Sequence, residues 1–119
     1  MMVVRNVSSE IQELNARIGG IATALVGRNG GVLFADVPAG VSAETFAVMC
    51  ATLFGAAATA HSELDRHPPG RIIVEGTDST TVIVGKGDQA LLVTVVDRSA
   101  ELTRVLEEVG KVADLLLTN

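Results

Sequence analysis

The sequence of 119 residues contains no tryptophan, no tyrosine and only three phenylalanines. Ligand pockets are usually rich in aromatic side chains, so this scarcity weakens the case for a small-molecule site. A single cysteine, Cys50, excludes a disulfide framework, and a lone thiol in an apolar segment suits a reducing compartment. Residues 1–7 lack the basic start and the long apolar stretch of a signal peptide. We therefore expect a cytoplasmic protein.

Positive charge is also scarce in this chain. Nine Lys and Arg residues stand against 14 Asp and Glu residues, which gives a net charge of −5. Binding to nucleic acid needs clustered basic side chains that neutralise phosphates, and here the few basic residues are scattered. We therefore expect no nucleic-acid partner. The length is that of one ordinary domain, and we expect a single domain over residues 1–119.

The chain lacks recognisable motifs for catalysis, cofactor binding and metal binding. The glycines of residues 27–31 and 85–87 do not fit the G-x-x-x-x-G-K-[ST] phosphate loop and do not precede a helix, so hairpin turns explain them better. His61, Asp65 and His67 have metal-ligand chemistry, but no second cluster supplies a fourth ligand. A solvated helix end is the better interpretation of this group. We expect no catalytic, cofactor-binding or metal-binding residue, and no enzyme activity.

Hydrophobic periodicity and turn residues predict the order helix, strand, strand, helix, strand, strand, strand, helix. The predicted strands are Ile21–Arg28, Val32–Asp36, Arg71–Glu75, Thr80–Gly85 and Gln89–Val96. The predicted helices run from Val4, or from a capping box at Ser9 and Gln12, to Ile18, then over Ser42–Leu64 and Ser99–Leu117. The last strand is apolar enough for the centre of a sheet, and the charged ends of the third suit an edge. The expected fold is an α/β (α+β) three-layer sandwich, with a five-stranded antiparallel sheet between the middle helix and the other two.

The middle helix is the most informative segment, because residues 46–60 include no charged side chain on any face. A helix on a protein surface normally shows water a broad polar face. A bulky stripe is predicted to face the sheet, and it comprises Phe46, Cys50, Leu53, Ala57 and Leu64. A small-residue stripe is predicted to contact the same helix of a second copy, and it comprises Ala47, Ala51, Gly55 and Ala58. The small-residue stripe therefore predicts a homodimer. The uncharged stretch is shorter than the ~20 residues of a membrane span, so we expect no membrane span.

Residues 18–33, with the sequence IGGIATALVGRNGGVL, resemble the opening of the roadblock/dynein light chain family. In that family a helix ends in glycine, and a strand then leads through a charged residue and glycine into a second strand. The alanine-rich helix, the strand at residues 72–75, the segment 87–93 and the closing amphipathic helix extend the resemblance over nearly the whole chain. The resemblance implies a profilin-like fold, with longin-like folds as near alternatives. Asp36 is a departure, since members often have serine there.

The resemblance implies a homodimer in which the middle helices pack together and the third strands pair across a two-fold axis. The strand residues at this implied interface are Arg71, Ile73 and Glu75, beside the small-residue stripe. Prokaryotic members are similar to regulators of small Ras-like GTPases, and eukaryotic members serve as dynein subunits and GTPase-docking scaffolds. The implied function is therefore a non-catalytic regulator or scaffold of a small Ras-like GTPase.

Charged residues outside the implied dimer interface are candidates for contact with the GTPase. They are Arg28 at the first hairpin tip, together with Arg104, Glu107, Glu108 and Lys111 on the last helix. In that helix Arg104 and Glu108, and likewise Glu107 and Lys111, are spaced for ion pairs along an exposed face. The alternative interpretation is that these charged side chains only keep the protein surface hydrated. A small-molecule-sensing or signalling-platform domain of profilin-like or longin-like type is the alternative function.

Overall fold

The computed structural model of this chain describes residues 6–88 and 90–117. Its elements are α1 (Val7–Arg17), β1 (Ala22–Gly27), β2 (Val32–Asp36), α2 (Ala43–Glu63), β3 (Arg71–Glu75), β4 (Ser79–Lys86), β5 (Ala90–Asp97) and α3 (Leu102–Leu116). This order confirms the one predicted from the sequence. The antiparallel sheet has the strand order β2-β1-β5-β4-β3, so β5 lies at its centre and β3 at an edge, as predicted.

The starts of the first and last helices differ from the prediction. The side chain of Asn6 accepts a hydrogen bond from the backbone N–H of Ser9, so Asn6 is the N-cap and Ser9 lies inside α1. The predicted capping box at Ser9 is therefore wrong, and the alternative start at Val4 lies outside the described residues. Before α3, the backbone N–H and the hydroxyl of Ser99 both donate to Asp97 Oδ1. Because of this turn, α3 begins at Leu102 and not at the predicted Ser99.

The sheet separates two apolar cores, which confirms the three-layer α/β/α arrangement. Helices α1 and α3 cover one face, where the buried side chains include Ile11, Leu14, Val105, Val109 and Val112. Helix α2 covers the other face, where Ala47, Cys50 and Phe54 pack on Val26, Ile83, Leu91 and Val93. The glycine-rich segments are hairpin turns, as predicted, with positive φ angles at Gly30 and Gly87.

A buried polar network connects four elements beneath the α1 and α3 layer. The hydroxyl oxygens of Thr23 and Thr94 lie 2.7 Å apart, and both residues are fully buried. Thr23 donates to Asn15 Oδ1 at 2.8 Å, and Asn15 Nδ2 donates to Asp36 Oδ2 at 3.2 Å. A Cβ at residue 20 would overlap Oδ1 of Asn15, so a larger residue at this position would displace the Asn15 side chain from the network. The network links β5, β1, α1 and β2, and it gives Asp36 a defined partner.

Replacing Asn15 with alanine is expected to destabilise the fold. The change removes two hydrogen bonds, each worth about 0.5–1.5 kcal/mol, so the free energy of unfolding should fall by about 1–3 kcal/mol in total. Urea unfolding followed by circular dichroism measures this difference. The control is Gln12→Ala, which truncates an exposed amide on the same helix. Equal unfolding midpoints for the two variants would contradict a stabilising role for the network.

Candidate interaction surface on α2 and β3

The orientation of α2 differs from the one that we predicted. Ala47, Cys50 and Phe54 are buried against the sheet, whereas Leu53 is 41% exposed and Leu64 is 73% exposed. The prediction that Leu53 and Leu64 fill the core is therefore wrong. The small side chain of Ala47 lies under the helix, where it permits close approach to the sheet. The two predicted stripes adjoin each other on the helix, so apolar periodicity alone did not distinguish the buried one.

This orientation changes the predicted dimer residues. Ala47 is fully buried within the single chain, so its prediction as an interface residue is wrong. Ala51 and Ala58 are partly buried, and Gly55 is exposed. The exposed side of α2 instead presents larger side chains, namely those of Val48, Met49 and Leu53.

Two of these side chains, those of Met49 and Leu53, adjoin the neighbouring edge of the sheet. Met49 is 56% exposed, and Val74 on β3 is exposed beside the helix. A groove of about 180 Å³ runs between the helix and the strand, lined by Phe46, Met49, Leu53 and Val74 among others. We call the area formed by Phe46, Met49, Leu53 and Val74 the α2–β3 surface. It is an exposed apolar patch that combines a helix face with a sheet edge.

Strand β3 contributes backbone groups as well as side chains. It pairs with β4 on one side, and among the described residues no strand pairs with its other edge. Arg71 and Glu75 occupy its two ends, and Ile73 lies at its midpoint. If two copies of β3 paired antiparallel about Ile73, Arg71 of each copy would lie opposite Glu75 of the other. Opposite charges in such cross-strand positions are favourable.

The structure places the five candidate charged residues on two different sides of the sheet. Arg28 lies over the ring of Phe54 on the α2 side, and its Nη2 donates to the carbonyl oxygen of Gly87. Arg104, Glu107, Glu108 and Lys111 belong to α3 on the opposite side. The five residues therefore do not form one continuous surface.

The charged side chains of α3 have partners other than those predicted from their spacing. Glu108 pairs with Arg17 of α1 at 3.3 Å and with Lys111 at 3.8 Å. Arg104 donates to the backbone carbonyl of Arg17 rather than serving as the described partner of Glu108. The two contacts of Arg17, with Glu108 and with Arg104, connect α1 and α3. The side chains of Glu107 and Lys111 are exposed.

The titratable side chains show little sign of catalytic chemistry. Burial raises the pKa of the Cys50 thiol, which keeps it protonated and less nucleophilic, as expected for a core residue. The pKa of Asp97 is lowered by the hydrogen bonds from Ser99, a feature of the turn before α3. His61 Nδ1 lies 2.8 Å from the carbonyl oxygen of Ala57 in the last turns of α2. Within residues 6–88 and 90–117, no group of three or more His, Cys, Asp or Glu side chains could hold a metal ion.

The length and apolar composition of α2 raise the question of whether it could span a membrane. In the part of the chain that the structure describes, this is the one helix with the length and apolar composition to cross a bilayer. Its Ala47, Cys50 and Phe54 side chains are nevertheless buried against the chain's own sheet. A core helix of a soluble protein meets the same criterion, so the finding is weak evidence for a span.

Comparison with known proteins identifies a family and a fold. The sequence profile of the Roadblock/LC7 domain matches residues 8–96. An uncharacterised protein from Methanocaldococcus jannaschii is 28% identical over 113 residues, which covers 95% of each chain. Myxococcus xanthus MglB has a similar structure, with a TM-score of 0.87 and 17% identity over 92% of this chain and 90% of that one. Profilin II from Acanthamoeba castellanii matches with a TM-score of 0.64 and 18% identity, covering 94% and 97% of the two chains. The predicted profilin-like fold is confirmed.

Proposed function

Since the chain belongs to the Roadblock/LC7 family, we propose that it is a homodimeric, non-catalytic regulator or scaffold of a small Ras-like GTPase. Family membership supports regulation of a GTPase, because prokaryotic members resemble regulators of this kind. The similarity to MglB supports the fold on which this function would depend. We also propose that residues 1–119 act as one roadblock-like domain.

The observation that carries the homodimer is the α2–β3 surface. Soluble monomers rarely expose large contiguous apolar patches, and such patches commonly mark interfaces between proteins. On this surface Met49 and Leu53 are exposed on the helix, and Val74 is exposed on the adjacent strand. A second copy of the chain would remove all of these side chains from water.

The charges on β3 favour a second copy over an unrelated partner. A two-fold interface brings the same patch of both subunits together, so the patch must be complementary to itself. The edge of β3 satisfies this requirement, because Arg71 at one end matches Glu75 at the other when two strands run antiparallel. In the proposed dimer, β3 therefore pairs with its copy about Ile73, and the neighbouring α2 helices pack through Met49 and Leu53. Ala51, Gly55 and Ala58 stay proposed interface residues, on the flank of α2 that lies away from Met49 and Leu53.

The GTPase would then bind surfaces that the dimer leaves free. The candidates are the hairpin tip at Arg28 and the charged face of α3 at Arg104, Glu107, Glu108 and Lys111. We favour α3, because the guanidinium of Arg28 is already engaged by Phe54 and Gly87. The same engagement argues against Arg28 acting as an arginine finger, a side chain that enters the active site of the GTPase and stabilises the transition state. A regulator of this kind acts by binding one nucleotide state of the GTPase more tightly than the other.

The test uses small GTPases of the same organism, each loaded with GDP or with a GTP analogue. We expect binding to one of them to depend on the nucleotide, with a corresponding change in its turnover or exchange. Glu107→Lys should weaken that binding, while Glu63→Lys, a charge reversal at the end of α2, serves as the matched control. Calorimetry of the protein with GTP and magnesium alone should show no binding. If no GTPase binds in either state, the small-molecule-sensing or signalling-platform alternative is the better one.

A further inference from the structure

The side chain of Arg28 joins three separate segments of the chain. Arg28 follows β1 at the first hairpin, and its Nη2 donates to the carbonyl oxygen of Gly87 in the β4–β5 turn at 2.7 Å. Its guanidinium carbon lies 4.8 Å from the ring centroid of Phe54 on α2. Since β5 lies between β1 and β4, the side chain reaches across the start of the central strand. One exposed arginine thus connects both hairpin turns with the middle of α2.

The backbone of β4 is shaped to admit this contact. A Cβ at Gly85 would lie 2.7 Å from Phe54 Cζ and 2.9 Å from Arg28 Nη2. The ring and the guanidinium therefore both pack on a position that has no side chain. We call Arg28, Phe54, Gly85 and Gly87 together the Arg28 clasp.

The first hairpin also contacts α2 at a second point. A Cβ at Gly30 would lie 2.9 Å from Val48 Cγ2, so the hairpin turn lies directly against the helix. Val48 and Phe54 are about 9 Å apart along the helix axis, at 1.5 Å per residue. Val48 directly precedes Met49 of the α2–β3 surface, and Phe54 of the Arg28 clasp directly follows Leu53 of that surface. Movement of the hairpin turns would therefore move the surface through which α2 is proposed to associate.

We propose that Arg28 is a positioning residue for self-association: by holding α2 to both hairpin turns, it keeps the α2–β3 surface in one geometry. This inference rests on the proposed homodimer. Preorganisation of a surface strengthens binding because less conformational freedom is lost on association. Arginine suits the role better than lysine, since its planar group stacks on an aromatic ring while its N–H groups donate in fixed directions.

Two variants test the clasp. Arg28→Lys keeps the charge and removes the planar group, and Gly85→Ala places a methyl group between the intact partners. Arg98→Lys is the matched control, because Arg98 is exposed and donates to the carbonyl of Gly76 in the β3–β4 turn, without a described contact to α2. Thermal unfolding by circular dichroism verifies that each variant is folded.

Two measurements on these variants decide the proposal. In Arg28→Lys and Gly85→Ala, hydrogen exchange should accelerate in residues 46–56 and 84–92, and the dimer dissociation constant should rise about tenfold, or about 1.4 kcal/mol. Arg98→Lys should leave both quantities unchanged. A wild-type dimer whose dissociation constant is unaffected by both changes would overturn the positioning role and leave the proposed function intact. A wild-type chain that sediments as a monomer would overturn both.

Discussion

Replacing Leu53 with arginine is expected to convert the dimer into a folded monomer. In the single chain Leu53 is 41% exposed, so an arginine there remains in water and the fold should persist. In the proposed dimer the same side chain is covered by the second copy. An unpaired buried charge is unfavourable by about 3–5 kcal/mol, which weakens association by about two to three and a half orders of magnitude.

Sedimentation velocity over a range of micromolar concentrations measures this effect, and circular dichroism verifies the fold. The matched control is Leu115→Arg, because Leu115 is 44% exposed on α3, on the other side of the sheet. We expect the control to remain dimeric. The proposed interface is wrong if Leu53→Arg sediments like the wild type, or if the wild type is itself a monomer at micromolar concentration.

Replacing Ala47 with arginine is expected to prevent folding altogether. Ala47 is fully buried between α2 and the sheet, where a long charged side chain has neither space nor a partner. A buried unpaired charge and the accompanying overpacking together approach the whole stability of a small domain, about 5–15 kcal/mol. The result also distinguishes the two orientations of α2. Had Ala47 faced a second helix, as the sequence suggested, the variant would be a folded monomer.

The control for this prediction is Ala60→Arg, the same change at an exposed position of the same helix. Circular dichroism and soluble yield should be those of the wild type for Ala60→Arg and should both be lost for Ala47→Arg. A soluble and cooperatively unfolding Ala47→Arg variant would show that α2 does not pack on the sheet through residue 47.

The order of the elements was predictable because each has a strong local signal. Helix α3 has a single apolar stripe, and its residues Val105, Val109, Val112 and Ala113 are buried. Ser42, the first residue of the predicted helix, caps α2 by accepting a hydrogen bond from the backbone N–H of Thr45. The apolar run of β5 indicated a central strand, and the charged ends of β3 indicated an edge. In each case residues close in sequence carry the whole signal.

The rotation of α2 was not predictable in the same way. Its apolar residues surround most of the helix, so the amphipathic pattern that orients α3 is weak here. Shape settles the choice, because the missing side chain at Gly85 leaves room for the ring of Phe54 between the helix and the sheet. Phe54 and Gly85 are 31 positions apart, beyond the reach of any periodicity argument.

The sequence by itself determined the family, the element order, the turns and the scarcity of catalytic groups, since these depend on local pattern and on the types of residue present. Tertiary structure alone decided which side of α2 is exposed, the contacts of Arg28, and the network that joins Asn15, Thr23, Asp36 and Thr94. The physical reason is that close packing and hydrogen bonding depend on which distant residues meet. A lone arginine or a lone asparagine in a sequence carries no sign of the partner that it will contact.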